Sequence, residues 1–312
     1  MIGTDDHAGR FVLRAQRLFD GTRFVDPPSV LVEDGVVVAV GSDAPGDVPV
    51  HDLGSVTLMP GLVDCHQHLV FDGEGTLEEM VVGRTDDELR SRARDAARRA
   101  LEGGVTTLRD LGDRNFVTLD LRGDPDLPTI LCSGPPITPV KGHCWYLGGE
   151  CDSRHEIVES VRERIARGCD VVKIMATGGR LTAAAPMWKS QFGLEDLQIV
   201  VEEARAAGLT VAAHCHGLEG IGNAVTAGVD TIEHCTFLNE AMQIAPDSSL
   251  LQRLADSGIA VSATMGMTPE GELPDWLAEL WPHIVAGFSR VRDGGGRIVV
   301  GTDAGIHAFK PH

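Results

Sequence analysis

The sequence predicts an α/β fold, a TIM-type (β/α)8 barrel behind a small N-terminal β-sandwich-like domain. Three observations predict it. Between residues 81 and 303 short apolar runs alternate with charged amphipathic stretches, as strands of a parallel sheet alternate with helices, and with the run at His66 they make eight strands. The first fifty-odd residues instead carry short β-type runs separated by Gly, Asp and Pro turns. Polar residues of metal-ligating type also recur at the ends of the apolar runs. The expected boundaries are 1–58 for the β domain and 59–312 for the barrel.

In the β domain the expected strands cover 11–15, 29–33, 35–41 and 56–59, and Glu33-Asp34-Gly35 is a hairpin signal. The first barrel strand follows the turn signal Pro60-Gly61 and runs into Asp64-Cys65-His66-Gln67-His68. A helix over 87–103 stops at Gly103-Gly104, and strands are expected at 105–110 and 128–133. Ser153 with Glu156 three residues on caps a helix to 167, before a strand over 170–175. Helices over 194–207, 218–227 and 248–257 then alternate with strands over 209–214, 229–234 and 259–264. A helix over much of 275–293 precedes the last strand, 297–303. Apolar strands buried on both faces suit a closed barrel. An open doubly wound sheet is the alternative, but no GxGxxG follows the first strand.

The chain has 312 residues and a net charge of −19, from 27 Lys and Arg against 46 Asp and Glu. That balance argues against nucleic acid and against an anionic membrane surface as partners. No apolar run reaches membrane-spanning length. The start, Met1-Ile2-Gly3-Thr4-Asp5-Asp6-His7, lacks the features of a signal peptide. Seven cysteines, odd in number and without CxxC spacing, fit reduced thiols in a cytoplasmic protein.

His66 and His68 share one face of a strand, because side chains alternate, and can grip an ion from one side. His214 ends the fifth strand and His216 follows at i+2. His234 ends the sixth strand after Glu233, and Asp303 ends the eighth. Lys173 lies among Val171, Val172, Ile174 and Met175. Either that strand end lets the amine reach solvent, or its charge is removed or reversed, for example by carboxylation. Each of these residues alone is more often structural. Their recurrence at strand ends is what points to a metal site.

These motifs resemble those of the amidohydrolase superfamily, in the branch of prolidase-like and imidazolonepropionase-related hydrolases. The matching segments are Met59-Pro60-Gly61-Leu62-Val63 with the HxH pair, Val172-Lys173-Ile174 before Ala176-Thr177-Gly178-Gly179, Ala212-Ala213-His214-Cys215-His216-Gly217, Ile232-Glu233-His234 and Gly301-Thr302-Asp303-Ala304-Gly305. The resemblance implies two divalent metals. His66, His68 and Asp303 hold the more buried one, His214 and His234 hold the other, and carboxylated Lys173 bridges them. Zinc suits these ligands, as do manganese and cobalt. A hydroxide bridging the metals is then the nucleophile, and Asp303 carries its proton to the leaving amine. Catalytic roles fall to Asp303, Lys173 and His143.

His143 and Tyr146 stand in the loop after the third strand, as packed loop residues or as substrate contacts. His143 is expected to stabilise an oxyanion or a carboxylate. Arg180 is a carboxylate partner or a surface residue, and His216 can exchange roles with His214. The implied activity is hydrolysis of an amide C–N bond in a small molecule, by a prolidase-like dipeptidase or an N-acyl amino acid hydrolase. A cyclic-amide hydrolase or deaminase is the alternative, although deaminases of the superfamily carry Glu where this chain has Gly217. A metal-free, non-catalytic scaffold is a third reading. Relatives continue with helices beyond the eighth strand, whereas nine residues follow Asp303 here. The expectation is therefore a scaffold completed by a second copy or a second polypeptide, or one impaired without it.

Overall fold

The computed structural model describes residues 9–43, 45–268 and 273–312. The N-terminal stretch read above, residues 1–7, lies outside them. The chain divides into two compact units, with the described residues up to Leu62 in the first and Val63–His312 in the second.

In the first unit, β1 (Arg10–Arg14), β4 (Ser29–Glu33), β5 (Val36–Val40) and β6 (Val50–Asp52) form a sheet in the order β5-β4-β1-β6. The expected hairpin joins β4 to β5 in antiparallel register. Asp34 and Gly35 both take positive φ there, 48° and 79°, which suits a tight turn between twisted strands. A second sheet, β3-β2-β7, is built from β2 (Arg17–Phe19), β3 (Phe24–Val25) and β7 (Thr57–Leu58). Phe11, Leu18, Val30 and Val32 make the core of this unit.

The second unit alternates strands and helices. β8 (Leu62–Gln67), β9 (Val105–Asp110) and β10 (Thr129–Cys132) form one sheet. β13 (Val171–Met175), β14 (Thr210–Gly217), β15 (Thr231–Leu238), β16 (Ala260–Ser262) and β17 (Arg297–Val299) form another, parallel throughout. A short pair, β11 (Thr138–Pro139) with β12 (Glu150–Cys151), lies in the segment after β10. Isolated parallel bridges join Ile137 to Ile174 and Gln67 to Ala304.

The helices are α1 (Leu77–Val81), α2 (Asp86–Glu102), α3 (Arg154–Arg167), α4 (Leu194–Ala206), α5 (Leu218–Ala227), α6 (Ser248–Ser257) and α7 (Asp275–Asp293). Local chemistry sets their ends. Thr85 and Glu88 form a capping box on α2, and Ser153 accepts from the Glu156 N–H at the start of α3. Gly168, Gly228 and Gly258 close α3, α5 and α6 in the left-handed conformation. Between β9 and β10 the connection is a 3-10 turn, Val117–Leu121, in place of an α-helix. The larger core of the unit packs β13 to β16 against α3 to α7. Every residue of β13 is buried, Lys173 included. Among the described residues no helix is long and apolar enough to cross a membrane.

Candidate metal centre

The carboxyl ends of the parallel strands bring histidines and one aspartate together. His66 and His68 share a face, and their Nε2 atoms lie 3.2 Å apart. Asp303 Oδ1 is 3.5 Å from both. β14 presents His214 and His216 in the same way, ring centroids 4.7 Å apart. His234 from β15 stacks on His216 at 4.7 Å. Two groups result, His66–His68–Asp303 and His214–His216–His234, each with its donor atoms within 4.8 Å of one another. All but His216 are buried.

The alternation rule alone would send Glu233 and His234 to opposite faces of β15. The backbone breaks the rule. His234 has φ 68° and Cys235 φ 45°, so adjacent side chains can turn toward the same place. Glu233 Oε2 lies 2.8 Å from His66 Nδ1, while the His234 ring centroid is 5.2 Å from that of His66. Asp303 at φ 60° and Thr264 at φ 49° are also left-handed. Such non-glycine residues cost about 1–3 kcal/mol each and concentrate at functional sites.

Hydrogen bonds fix the ring tautomers. Glu233 accepts from His66 Nδ1, and the Gly112 carbonyl accepts from His68 Nδ1 at 3.2 Å. Both Nε2 atoms therefore carry lone pairs, aimed at each other and at a carboxylate. Without a cation between them this arrangement is repulsive, so the donor set itself fits a metal ion. Arg109 holds Glu233 in turn, through Oε1 at 2.8 Å, and Thr231 donates to the same oxygen at 2.6 Å. On the other group, His234 Nδ1 is 2.8 Å from Thr264 Oγ1, and His216 Nδ1 is 2.9 Å from Thr236 Oγ1.

Burial dominates the electrostatics. It pushes His66, His214 and His234 well below the usual histidine range, helped by the charge of Lys173 or by neighbouring rings. It takes His68, His143 and His216 down to about 3. All six are neutral at pH 7, as metal ligands must be. Asp303 is pushed up to about 6 by burial, against the pull of Lys310 and Lys173. Lys173 is itself lowered by burial, and its Nζ has no hydrogen-bond partner among the described residues. A bare ammonium in an apolar strand is costly.

His143, Lys173 and Arg180 line the same cavity of about 330 Å3 as the two groups. His143 is buried with its ring centroid 4.5 Å from that of His214. Gly179 permits this approach, since an added Cβ would fall 2.2 Å from His143 Nε2. Arg180 lies over the Trp276 ring at 3.7 Å. Tyr146 is not brought to the site. It packs in the core beside α1 and α2, its hydroxyl donates to Cys144 Sγ at 3.6 Å, and it does not line the cavity. Arg109, Thr264 and Asp64 also support the site, and no local motif marks them as site residues. Arg109, a charge near the end of an apolar strand, was the readable signal among them.

The description of the amidohydrolase family matches residues 57–280. This chain belongs to the amidohydrolase family. It is 30% identical over 248 residues to an ochratoxinase of Aspergillus niger, covering 68% of this chain and 51% of that one. It is 29% identical over 245 residues to an imidazolonepropionase of Salinispora tropica, covering 68% and 58%. The chain thus spans about half the length of these curated relatives. A crystal structure of a Xaa-Pro dipeptidase with methionine in its active site superposes with a TM-score of 0.82 at 26% identity, over 97% of this chain and 81% of that one. Members of the amidohydrolase family typically bind metal, and both donor groups here could hold an ion.

Proposed function

We propose that this chain hydrolyses the amide C–N bond of a small, carboxylate-bearing substrate of dipeptide or N-acyl amino acid type. The observation that carries the reading is the pair of donor groups sharing one cavity with a buried Lys173 whose amine has no hydrogen-bond partner among the described residues. His66, His68 and Asp303 would hold one divalent cation, His214 and His234 a second, with zinc the best match to the donors and carboxylated Lys173 shared between them. When bound, such cations supply Lewis acidity that polarises a carbonyl and lowers the pKa of a nearby water.

The protein's own groups do the rest. The Lys173 ammonium, disfavoured by burial, gives up one proton. The amine then attacks the carbon of CO2, forming an N–C bond as one C–O π bond opens, and loses a second proton. Two protons pass to solvent, and the site changes a cation for a carbamate anion. Asp303 accepts the proton of the attacking water. It returns that proton to the leaving nitrogen as the C–O bond forms and the C–N bond breaks, giving an acid and an amine. Thr182 Oγ1 accepts from the Cys144 N–H and lies 3.0 Å from His143 Nδ1. With the Thr182 hydroxyl donating to Nδ1, His143 would carry Nε2–H as a donor for the developing oxyanion. Arg180, at the cavity wall, meets the substrate carboxylate.

Deamination is disfavoured sterically. A Cβ at Gly217 would fall 2.0 Å from the Trp188 carbonyl oxygen, so no acidic side chain fits there. We further propose that the two parallel sheets close into one barrel. Support comes from Cys65 N donating to Val300 O at 2.9 Å, Asp303 N to His66 O at 2.7 Å, and Ile137 N to Lys173 O at 2.8 Å. The test of function is a screen of dipeptides and N-acyl amino acids with zinc-, manganese- and cobalt-loaded protein. Metal-dependent release of free amino acid supports the reading, and metal-loaded protein inert toward the whole panel refutes it.

A further inference from the structure

Helix α7 divides into two halves with different tasks. Its C-terminal half buries Gly287, Phe288 and Val291 in the core. Its N-terminal half continues the same stripe at helical spacing with Trp276, Leu277, Leu280, Trp281 and Ile284, all part-exposed and all lining the cavity that holds the two donor groups. Two tryptophans on a wall next to buried histidines are not core residues short of cover, because the space they face is enclosed by the site itself. The Arg180 guanidinium carbon lies over the Trp276 ring, 3.7 Å from its centroid, which places a cation at the edge of this apolar wall. Met265 and Met267 face the same space and add adaptable apolar surface.

We propose that the N-terminal half of α7 is the specificity wall of the site. It seats a bulky apolar group, of aromatic size, on a substrate whose carboxylate meets Arg180. This rests on the amide-hydrolase reading for the chemistry, but the recognition can be measured without turnover. A cavity of about 330 Å3 sits at the lower end of the roughly 300–1,000 Å3 typical of small-molecule sites. It takes one aromatic group beside the scissile bond and excludes a long peptide. Trp276 and Trp281 are the specificity-determining residues.

The experiment titrates metal-loaded protein calorimetrically with 2-naphthoate and with acetate, for the native chain and for Trp276→Ala, Trp281→Ala and Trp276→Phe. Naphthoate should bind at least about tenfold tighter than acetate, as expected for apolar surface taken from water. Trp281→Ala should lose most of that ratio while its acetate affinity stays within about twofold. Trp276→Ala should lose the ratio as well, and Trp276→Phe, which keeps a ring beneath Arg180, should retain it. Unchanged acetate binding also shows that the variants fold. Equal binding of the two acids, or a preference indifferent to both Ala variants, overturns the proposal. Hydrolysis of N-naphthoyl and N-acetyl amino acids is scored separately. Naphthoate preference without cleavage of any amide removes the functional reading and leaves the wall. Cleavage without preference does the reverse.

Discussion

Lys173 shows how one residue can be read at two levels. Its buried strand makes a free ammonium costly, and the donors around the cavity supply a reason for the amine to be carboxylated. Lys173→Ala is expected to lower amide hydrolysis at least about 100-fold, as removal of a preorganised charge does. Short carboxylic acids added with metal should restore part of it. Carbon-13 bicarbonate should give native protein a carbamate resonance that the variant lacks; native protein without that resonance would end the carboxylation claim. Glu233 acts one step further out. It fixes the His66 tautomer and is itself held by Arg109 and Thr231. Glu233→Gln should weaken the first metal by about 10–100-fold, measured by chelator competition, while the second holds. Equal weakening of both would assign Glu233 a general structural role.

At the scale of elements, Asp64 ties β8 to the turn after β17. Its carboxylate accepts from His66 N and Thr302 N at 3.0 Å, from Thr302 Oγ1 at 2.5 Å and from Gln67 Nε2 at 2.7 Å. Asp64→Ala leaves buried donors unpaired, so denaturant unfolding should show a loss of about 2–4 kcal/mol. A loss under 1 kcal/mol would mean that water replaces the carboxylate. The helices were legible in the sequence because their ends carry chemistry of their own, such as Ser153 at the start of α3 and Gly228 at the end of α5. α1, five residues long, and the two- and three-residue strands β2, β3, β6, β11 and β12 were not. Segments that short show no period, and partners distant in sequence decide whether they pair.

For the whole molecule, the buried titratable groups make stability depend on pH in the metal-free state. The six site histidines have folded pKa values below the unfolded 6.5, so their contribution is full above 6.5 and is lost as pH falls below it, toward about 3 for His68, His143 and His216. Asp110, Asp113 and Asp303 run the other way. Burial raises them to about 7, 6 and 6, so they favour the folded state more at low pH and lose that contribution as pH rises from about 4 to 7. Near pH 5 six groups oppose three, and unfolding takes up protons overall. Tm of the chelator-treated protein should therefore fall from pH 7 to pH 5. Zinc at pH 7 should raise Tm by mass action, with the gain shrinking as protons compete for the histidines. A Tm that climbs on acidification would contradict the assigned burial of the histidines.

The sequence by itself determined the alternation of elements, the caps, the HxH pair and the family motifs, because each is written in neighbouring residues or in a short period. It also marked Lys173 as out of place in an apolar strand. Only the tertiary structure decided which groups meet. It sent Tyr146 into the core, joined Glu233 to His66 across 167 positions and Arg109 to the Cys65 carbonyl across 44, and turned α7 toward the cavity. It also placed His234, Thr264 and Asp303 in left-handed backbone. Strained φ angles and long-range contacts depend on what packs around a residue, and no local pattern encodes that.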